Sequence, residues 1–283
     1  MEAMKVTFRG ASAENVVIPD VEVVNFPSEY VLTGINRHLL RSPDFDVDKL
    51  EGISDGDVLT FIDKLHDITE NSTQSIGTSE THTDSLVDDL LRIARLNTWP
   101  LKIKNHEPCA IYIGDEPTVS SDPEFVIKKR SIFVLVVEDK HLKNVGYATD
   151  FGESQIAVEI LACGSENIRL GETPIDQTLW AIRVISTYVT FYKAIIPAMY
   201  WMELANGLPK EQKVEVERWP IGNGLKTGFD LAEPAGRRTV LTALTKIRES
   251  LLKQPASSTP HTAMAPQDQA EQSSKKKDKQ HRK

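Results

Sequence analysis

"FVLVVEDKHL", residues 133–142, decides how this chain reads. Five apolar residues run without a break into Glu138, Asp139, Lys140 and His141. A run that is apolar on both faces is expected of a central strand covered by helices on each side. Such a strand normally ends in a turn residue. This one ends in four ionisable groups, just where the chain leaves the core. Side chains alternate along a strand, so Glu138 and Lys140 share one face and Asp139 points to the other.

The stretch upstream adds a second carboxylate. "SDPEFVI" and "SIFVLVVEDK" read as two strands joined by a basic turn, "KKR" at 128–130. If they pair as neighbours, Asp122, immediately before Pro123, approaches Glu138. Two carboxylates held together repel unless something positive lies between them, and a divalent cation is the obvious solution. Mg2+ prefers oxygen ligands and often takes only one or two protein carboxylates. Lys140 beside such an ion has an electrostatic reason to give up its proton. It could then orient or deprotonate a water, or stabilise charge in a transition state.

Asp122, then Glu-x-Lys sixteen residues later at the end of an apolar strand, then Gln155 in the helix "ESQIAVEILA", resembles the PD-(D/E)XK nuclease superfamily. The resemblance covers about residues 76–192. In this chain the proline follows Asp122 instead of preceding the acid. The resemblance implies an α/β fold with a restriction-endonuclease-like core, a central mixed β-sheet flanked by helices. It implies Asp122, Glu138, Lys140 and Gln155 as catalytic residues. Asp122, Glu138 and the Asp139 backbone carbonyl would hold Mg2+ (or Mn2+), with either Glu80 or Asp84 as an acidic residue from the preceding helix. The implied activity is metal-dependent hydrolysis of phosphodiester bonds in DNA or RNA.

Around this core the chain divides into three zones. Residues 1–72 form an accessory region, with a strand-like "NVVIPDVEVVNF" and a helix in "SDGDVLTFIDKLHDI", where Val58, Ile62 and Leu65 fall at helical spacing. A polar loop, "TENSTQSIGTSETHT", follows. Residues 73–254 carry the nuclease-like domain. "THTDSLVDDLLRIARLN" is an amphipathic helix, "LKIKNHEPCAIYIG" is strand material, and "DFGESQIAVEILACGSEN" is a helix with Asp150 and Glu153 in a capping-box arrangement. "TLWAIRVISTYVTFY" reads as further strand, "KVEVERW" as a short one, and "RRTVLTALTKIRESLLK" as a closing helix. Residues 255–283 lack aromatic and branched apolar residues and read as a disordered basic tail.

Composition bounds the function. Hydrophobic residues make up 40% and charged residues 26% of the 283, enough to bury a core. No run of eighteen apolar residues suggests a membrane span, and "MEAMKVTFRG" shows no secretory signal. Cys109 and Cys163 sit in apolar surroundings and read as buried free thiols, which points to a reducing, intracellular setting. The net charge is −8, but residues 251–283 carry +4, leaving −12 on the remainder. An acidic body is not a general nucleic-acid binder. That favours a second reading, a nuclease-fold binding module with little activity. Against it stands the full set of Asp122, Glu138, Lys140 and Gln155.

Other residues carry plainer readings. His82 and His106 are expected to be surface histidines, whereas His141 adjoins the constellation. Lys128, Lys129 and Arg130 fit a solvated hairpin turn better than a nucleic-acid contact. Glu159 shares a helix face with Gln155 and either borders the site or faces water. "TYVTFYKAIIPAMYW" could stack bases, but core packing is the simpler reading. "GNGLKTG" lacks the order of a phosphate loop. The tail 275–283 suits a nuclear signal or an electrostatic tether to nucleic acid.

Overall fold

The quoted run forms β6, Ile132–Lys140. The computed structural model describes residues 2–71, 81–140, 151–171 and 173–253, and of Lys140 the main chain only. β6 lies inside an eight-stranded mixed sheet. On one side it pairs antiparallel with β5, Phe125–Lys129, which is flanked by the antiparallel edge strand β2, Leu101–Asn105. On the other it pairs parallel with β7, Gln177–Ile185. Beyond β7 come β8, Tyr188–Ile196, and β9, Val214–Trp219, both antiparallel to their predecessors in the sheet. β1, Val6–Gly10, closes the far edge parallel to β9. The two-residue β10, Phe229–Asp230, also pairs with β8. β3, Cys109–Ile113, and β4, Glu116–Ser121, form a separate ribbon.

Seven helices are described: α1 Glu14–Val17, α2 Arg37–Leu40, α3 Gly56–Asn71, α4 Thr81–Ile93, α5 Glu153–Gly171, α6 Ala198–Leu204 and α7 Pro234–Lys253. They cover the sheet as two layers. One core joins Leu135, Val137, Ile182 and Val184 to α3, α4 and α7 through Phe61, Leu86, Leu90 and Leu244. The other joins Val136, Ala181, Tyr192 and Val216 to α5, α6 and the ribbon through Ile156, Ile160, Trp201 and Ile111. In chain order, α4, β2, the β3–β4 ribbon, β5, β6, α5 and β7 place in the main sheet three mutually antiparallel strands after a helix, then a crossover helix and a parallel strand. No described helix is long and apolar enough to cross a membrane.

A bulge in β6 sets which way its charges face. Ile127 pairs with Leu135 but Lys128 pairs with Phe133, so Val134 is the extra residue on β6. Its phase flips there: Phe133 lies in the α5 core, whereas Leu135 and Val137 lie in the α4 core. A bulge leaves backbone groups unpaired. Asn167 of α5 satisfies them, accepting from the Phe133 N–H at 2.8 Å and donating to the Phe133 carbonyl at 2.8 Å. Gln177 completes the clamp, accepting from Asn167 at 3.0 Å and donating to the Gly164 carbonyl at 2.9 Å. Downstream of the bulge, even-numbered residues of β6 face α5 and odd-numbered ones face α4.

Several sequence readings change. "NVVIPDVEVVNF" is no strand: it holds α1 and an irregular segment. Val17 and Ile18 are buried side by side, against a period of two, and Pro19 has no N–H for a ladder. "TLWAIRVISTYVTFY" is two strands, folded at Ser186, which takes a left-handed φ of 57° without glycine. Lys128 and Lys129 belong to β5, and only Arg130 (φ 59°) lies in the turn. The first 71 residues are woven into the rest: β1 extends the main sheet, and Val17, Ile35, Phe61 and Leu65 join the core beneath β6. Arg237 of α7, fully buried, donates to the carbonyls of Val31 (3.0 Å), Leu32 (2.8 Å) and Ile35. The "TENSTQSIGTSETHT" loop falls mostly outside the described residues. Asp150 and the tail 255–283 lie wholly outside them.

Candidate active site

Glu138 is the pivot. It is 1% exposed, and the even phase of β6 turns it to the α5 face. There Gln155, in the first turn of α5, donates from Nε2 to Glu138 Oε1 at 2.6 Å. Two residues that the sequence singled out seventeen positions apart thus meet. The reason is topological: a parallel β6–β7 pair needs a crossover, and α5 starts its crossover above the end of β6.

Asp139 takes the other face. It too is 1% exposed, and neither carboxylate oxygen finds an amide, hydroxyl or cationic donor among the described residues. Burial first, then the adjoining Asp84 carboxyl of α4 and the fields of Glu124 and Glu138, push its pKa up to about 9. Burial beside a second carboxyl therefore favours the protonated form of Asp139. Asp84, expected beside the metal ligands, instead meets Asp139 on the face opposite Glu138. Glu80 and His141 lie outside the described residues.

A carboxylate that the sequence reading did not single out also stands near this end of β6. The β5–β6 register ends at the Phe125–Val137 pair, and Glu124, the residue before Phe125, lies close enough to this strand end for its charge to act on Asp139. Asp122 is exposed and lies between the ribbon strand β4 and β5, outside the paired part of either. Sequence reasoning passed over Glu124 because it treated Asp-Pro as the marker; the usable signal was the strand phase counted back from Phe125. His106, read as a plain surface residue, stands 3.5 Å from Glu124 Oε2. His82 is the surface residue expected, 3.7 Å from Asp67 with both side chains about half exposed. Lys140 ends β6 level with Ile185 of β7.

On the α5 face the charges continue across the sheet. Arg183 of β7 is the register partner of Glu138, buried to 1% exposure. It donates from Nη1 to the Phe151 carbonyl at 2.6 Å and to Asn223 Oδ1 at 2.9 Å. Next along, Arg218 of β9 pairs with Glu153 of α5 and donates to the Ile221 carbonyl at 2.8 Å. Tyr192 is fully buried beneath them, and burial raises its phenol pKa far above the ordinary value. These arginines could not be found in the sequence, since β7 and β9 read only as strand material.

The remaining candidates are structural. Lys128 lies over the Phe133 ring at 3.9 Å and pairs with Glu107 at 2.7 Å; Lys129 donates to the Leu251 carbonyl at 2.6 Å. Neither is a solvated turn residue, because both lie in a paired strand against covering elements. Glu159 is fully buried, so it does not face water. Cys109 and Cys163 are buried free thiols, as expected, with their sulfurs 3.8 Å apart. Phe191, Tyr192, Tyr200 and Trp201 are buried in the core and offer no stacking surface.

In kind, the donors near Glu138 suit a hard cation: carboxylates of Glu138 and Glu124 and main-chain oxygen at Asp139. Among the described residues no three His, Cys, Asp or Glu side chains are gathered as a metal-holding group. Comparison with known proteins finds no family model that matches the chain and no curated protein similar to it.

Proposed function

We propose that the chain is a metal-dependent nuclease of the PD-(D/E)XK type, acting on phosphodiester bonds of DNA or RNA. The observation that carries this reading is the Gln155–Glu138 hydrogen bond at the end of β6. It stands on a helix, three antiparallel strands, a crossover helix and a parallel strand, the order that a restriction-endonuclease-like core would have. Glu138 holds the cation together with Glu124, and Pro123 precedes Glu124 in the order that the superfamily's name carries. Gln155 fixes the Glu138 carboxylate. Lys140, at the end of the same strand, orients the attacking water or stabilises the charge that develops on phosphate. Mg2+ or Mn2+, when bound, supplies charge neutralisation at the phosphate and makes water more acidic.

The test is cleavage of single- and double-stranded DNA and RNA in Mg2+ or Mn2+. Lys140→Ala should lose activity by about a hundredfold or more with the fold intact. Glu138→Ala should be equally inactive and, by calorimetry, also lose metal affinity. Glu124→Ala should behave like Glu138→Ala, and Asp122→Ala should be the milder variant. Wild type that cuts none of these substrates sinks the nuclease reading. The second reading, a nuclease-fold binding module, is favoured by the lack of a three-residue metal-holding group among the described side chains. It expects nucleic-acid binding without cleavage.

A further inference from the structure

Arg183 is unusual among the buried arginines of this protein. Burying a cation without a counter-charge costs several kcal/mol, so buried arginines are normally paired or fully hydrogen-bonded. Arg237 follows the rule with four carbonyl acceptors, and Arg248 with carbonyls and Glu249. Arg183 does not. Its Nη1 is anchored by the Phe151 carbonyl and Asn223 and its guanidinium lies 5.6 Å from the Tyr192 ring centroid, while Nε and Nη2 are buried without a hydrogen-bond partner among the described residues.

These two nitrogens form the side-on fork of the guanidinium. Its parallel N–H bonds match the two oxygens of a carboxylate or phosphate. The same protein shows the fork in use elsewhere: Arg37 grips Asp230 through Nε at 2.9 Å and Nη2 at 2.6 Å. In Arg183 the equivalent fork is held through Nη1 and left without a hydrogen-bonding acceptor among the described residues. Its position is specific. Arg183 and Glu138 are register partners on adjacent parallel strands, so both side chains face α5 with their backbones about 4.8 Å apart. The first turn of α5 lies over it; a Cβ added to Gly152 would come 3.8 Å from Arg183 Cδ.

We infer that the Arg183 fork is a phosphate subsite for a nucleic-acid backbone, taking two non-bridging oxygens of one phosphodiester next to the Glu138 carboxylate. This placement rests on the nuclease reading of Glu138. Both fork nitrogens are sheltered from solvent. That strengthens their hold on an anion and makes its admission a step in which neighbouring atoms must give way.

The experiment uses the full chain with divalent metal chelated. Binding of inorganic phosphate and of a short single-stranded oligonucleotide is followed by calorimetry, and stability by melting temperature. Wild type is expected to bind both. Arg183→Lys should bind about tenfold or more weakly, because an ammonium lacks the fork. Arg183→Met should bind neither, yet melt at or above the wild-type temperature in phosphate-free buffer, since a buried unpaired charge has been replaced by an apolar chain. Wild type that binds neither probe overturns the inference, and so does binding of phosphate without the oligonucleotide. Arg183→Met that binds as wild type does, or melts far below it, would make Arg183 part of the scaffold. No metal or cleavage enters this measurement. Binding through Arg183 by a protein that never cuts would sink the nuclease reading and leave the subsite standing.

Discussion

The two adjacent acids of β6 have opposite fates because a strand sends them to opposite faces. Glu138 is held by Gln155, whereas Asp139 is pressed against Asp84 and keeps its proton up to about pH 9. An unfolded aspartate releases its proton near pH 4. Between these values the folded protein binds more protons than the unfolded one, so this group makes stability fall as pH rises and has no further effect above about pH 9. Asp139→Asn, which cannot ionise, should melt higher than wild type at pH 8. It should also show a flatter dependence of melting temperature on pH from about 5 to about 9. Equal slopes for the two proteins would mean that Asp139 is ionised in the fold. Asp139 was legible in the sequence as pointing away from Glu138; its partner Asp84 was not, because nothing in the helix sequence says which strand residue it meets.

At the scale of elements, α5 does two jobs: its first turn brings Gln155 to Glu138 and its last turns hold the β6 bulge through Asn167. Removing the Asn167 amide would leave the Phe133 N–H and carbonyl unpaired in the core. An unsatisfied buried group costs about 1–3 kcal/mol. Asn167→Ala should therefore destabilise by about 2–5 kcal/mol in denaturant titrations, and should lower Glu138-dependent activity by loosening the strand end. A loss under about 1 kcal/mol would show that the bulge holds without the clamp. Gly164 sits between these ends. A Cβ there would lie 2.7 Å from the Trp201 ring, so Gly164→Ala must shift α5 or α6 and should cost about 1–3 kcal/mol. The helix itself was plain in the sequence, from its apolar spacing. The bulge was not, since an unbroken apolar run hides a one-residue change of phase.

For the molecule as a whole, the first 71 residues cannot be separated from the remainder. They supply edge strand β1, much of the core beneath β6, and the carbonyls that solvate Arg237. Burial lowers the Arg237 pKa to about 10, and among the described residues it is carbonyls that hydrogen-bond the guanidinium. A fragment beginning at residue 73 is expected not to fold, as read by a missing cooperative melting transition. Deleting residues 255–283, in contrast, should leave the melting temperature within a few degrees of wild type, because that segment has little to bury. If the tail tethers nucleic acid, its deletion should also flatten the salt dependence of binding. A folded, cooperative 73–283 fragment would restore the boundary that composition suggested near residue 72.

The sequence by itself determined the α/β class, the helices α3, α4, α5 and α7, the central place of β6, and the opposite faces of Glu138 and Asp139. These follow from local periodicity, which each segment carries alone. Only the tertiary structure decided that Glu124 comes near the end of β6, that Asp84 meets Asp139, and that Arg183 stands one strand from Glu138 with two buried nitrogens left over. Each of these depends on register between segments far apart in the chain. Register is fixed by bulges, hairpin turns and the packing of both cores, so a shift of one residue would reverse the facing of every charge in the site.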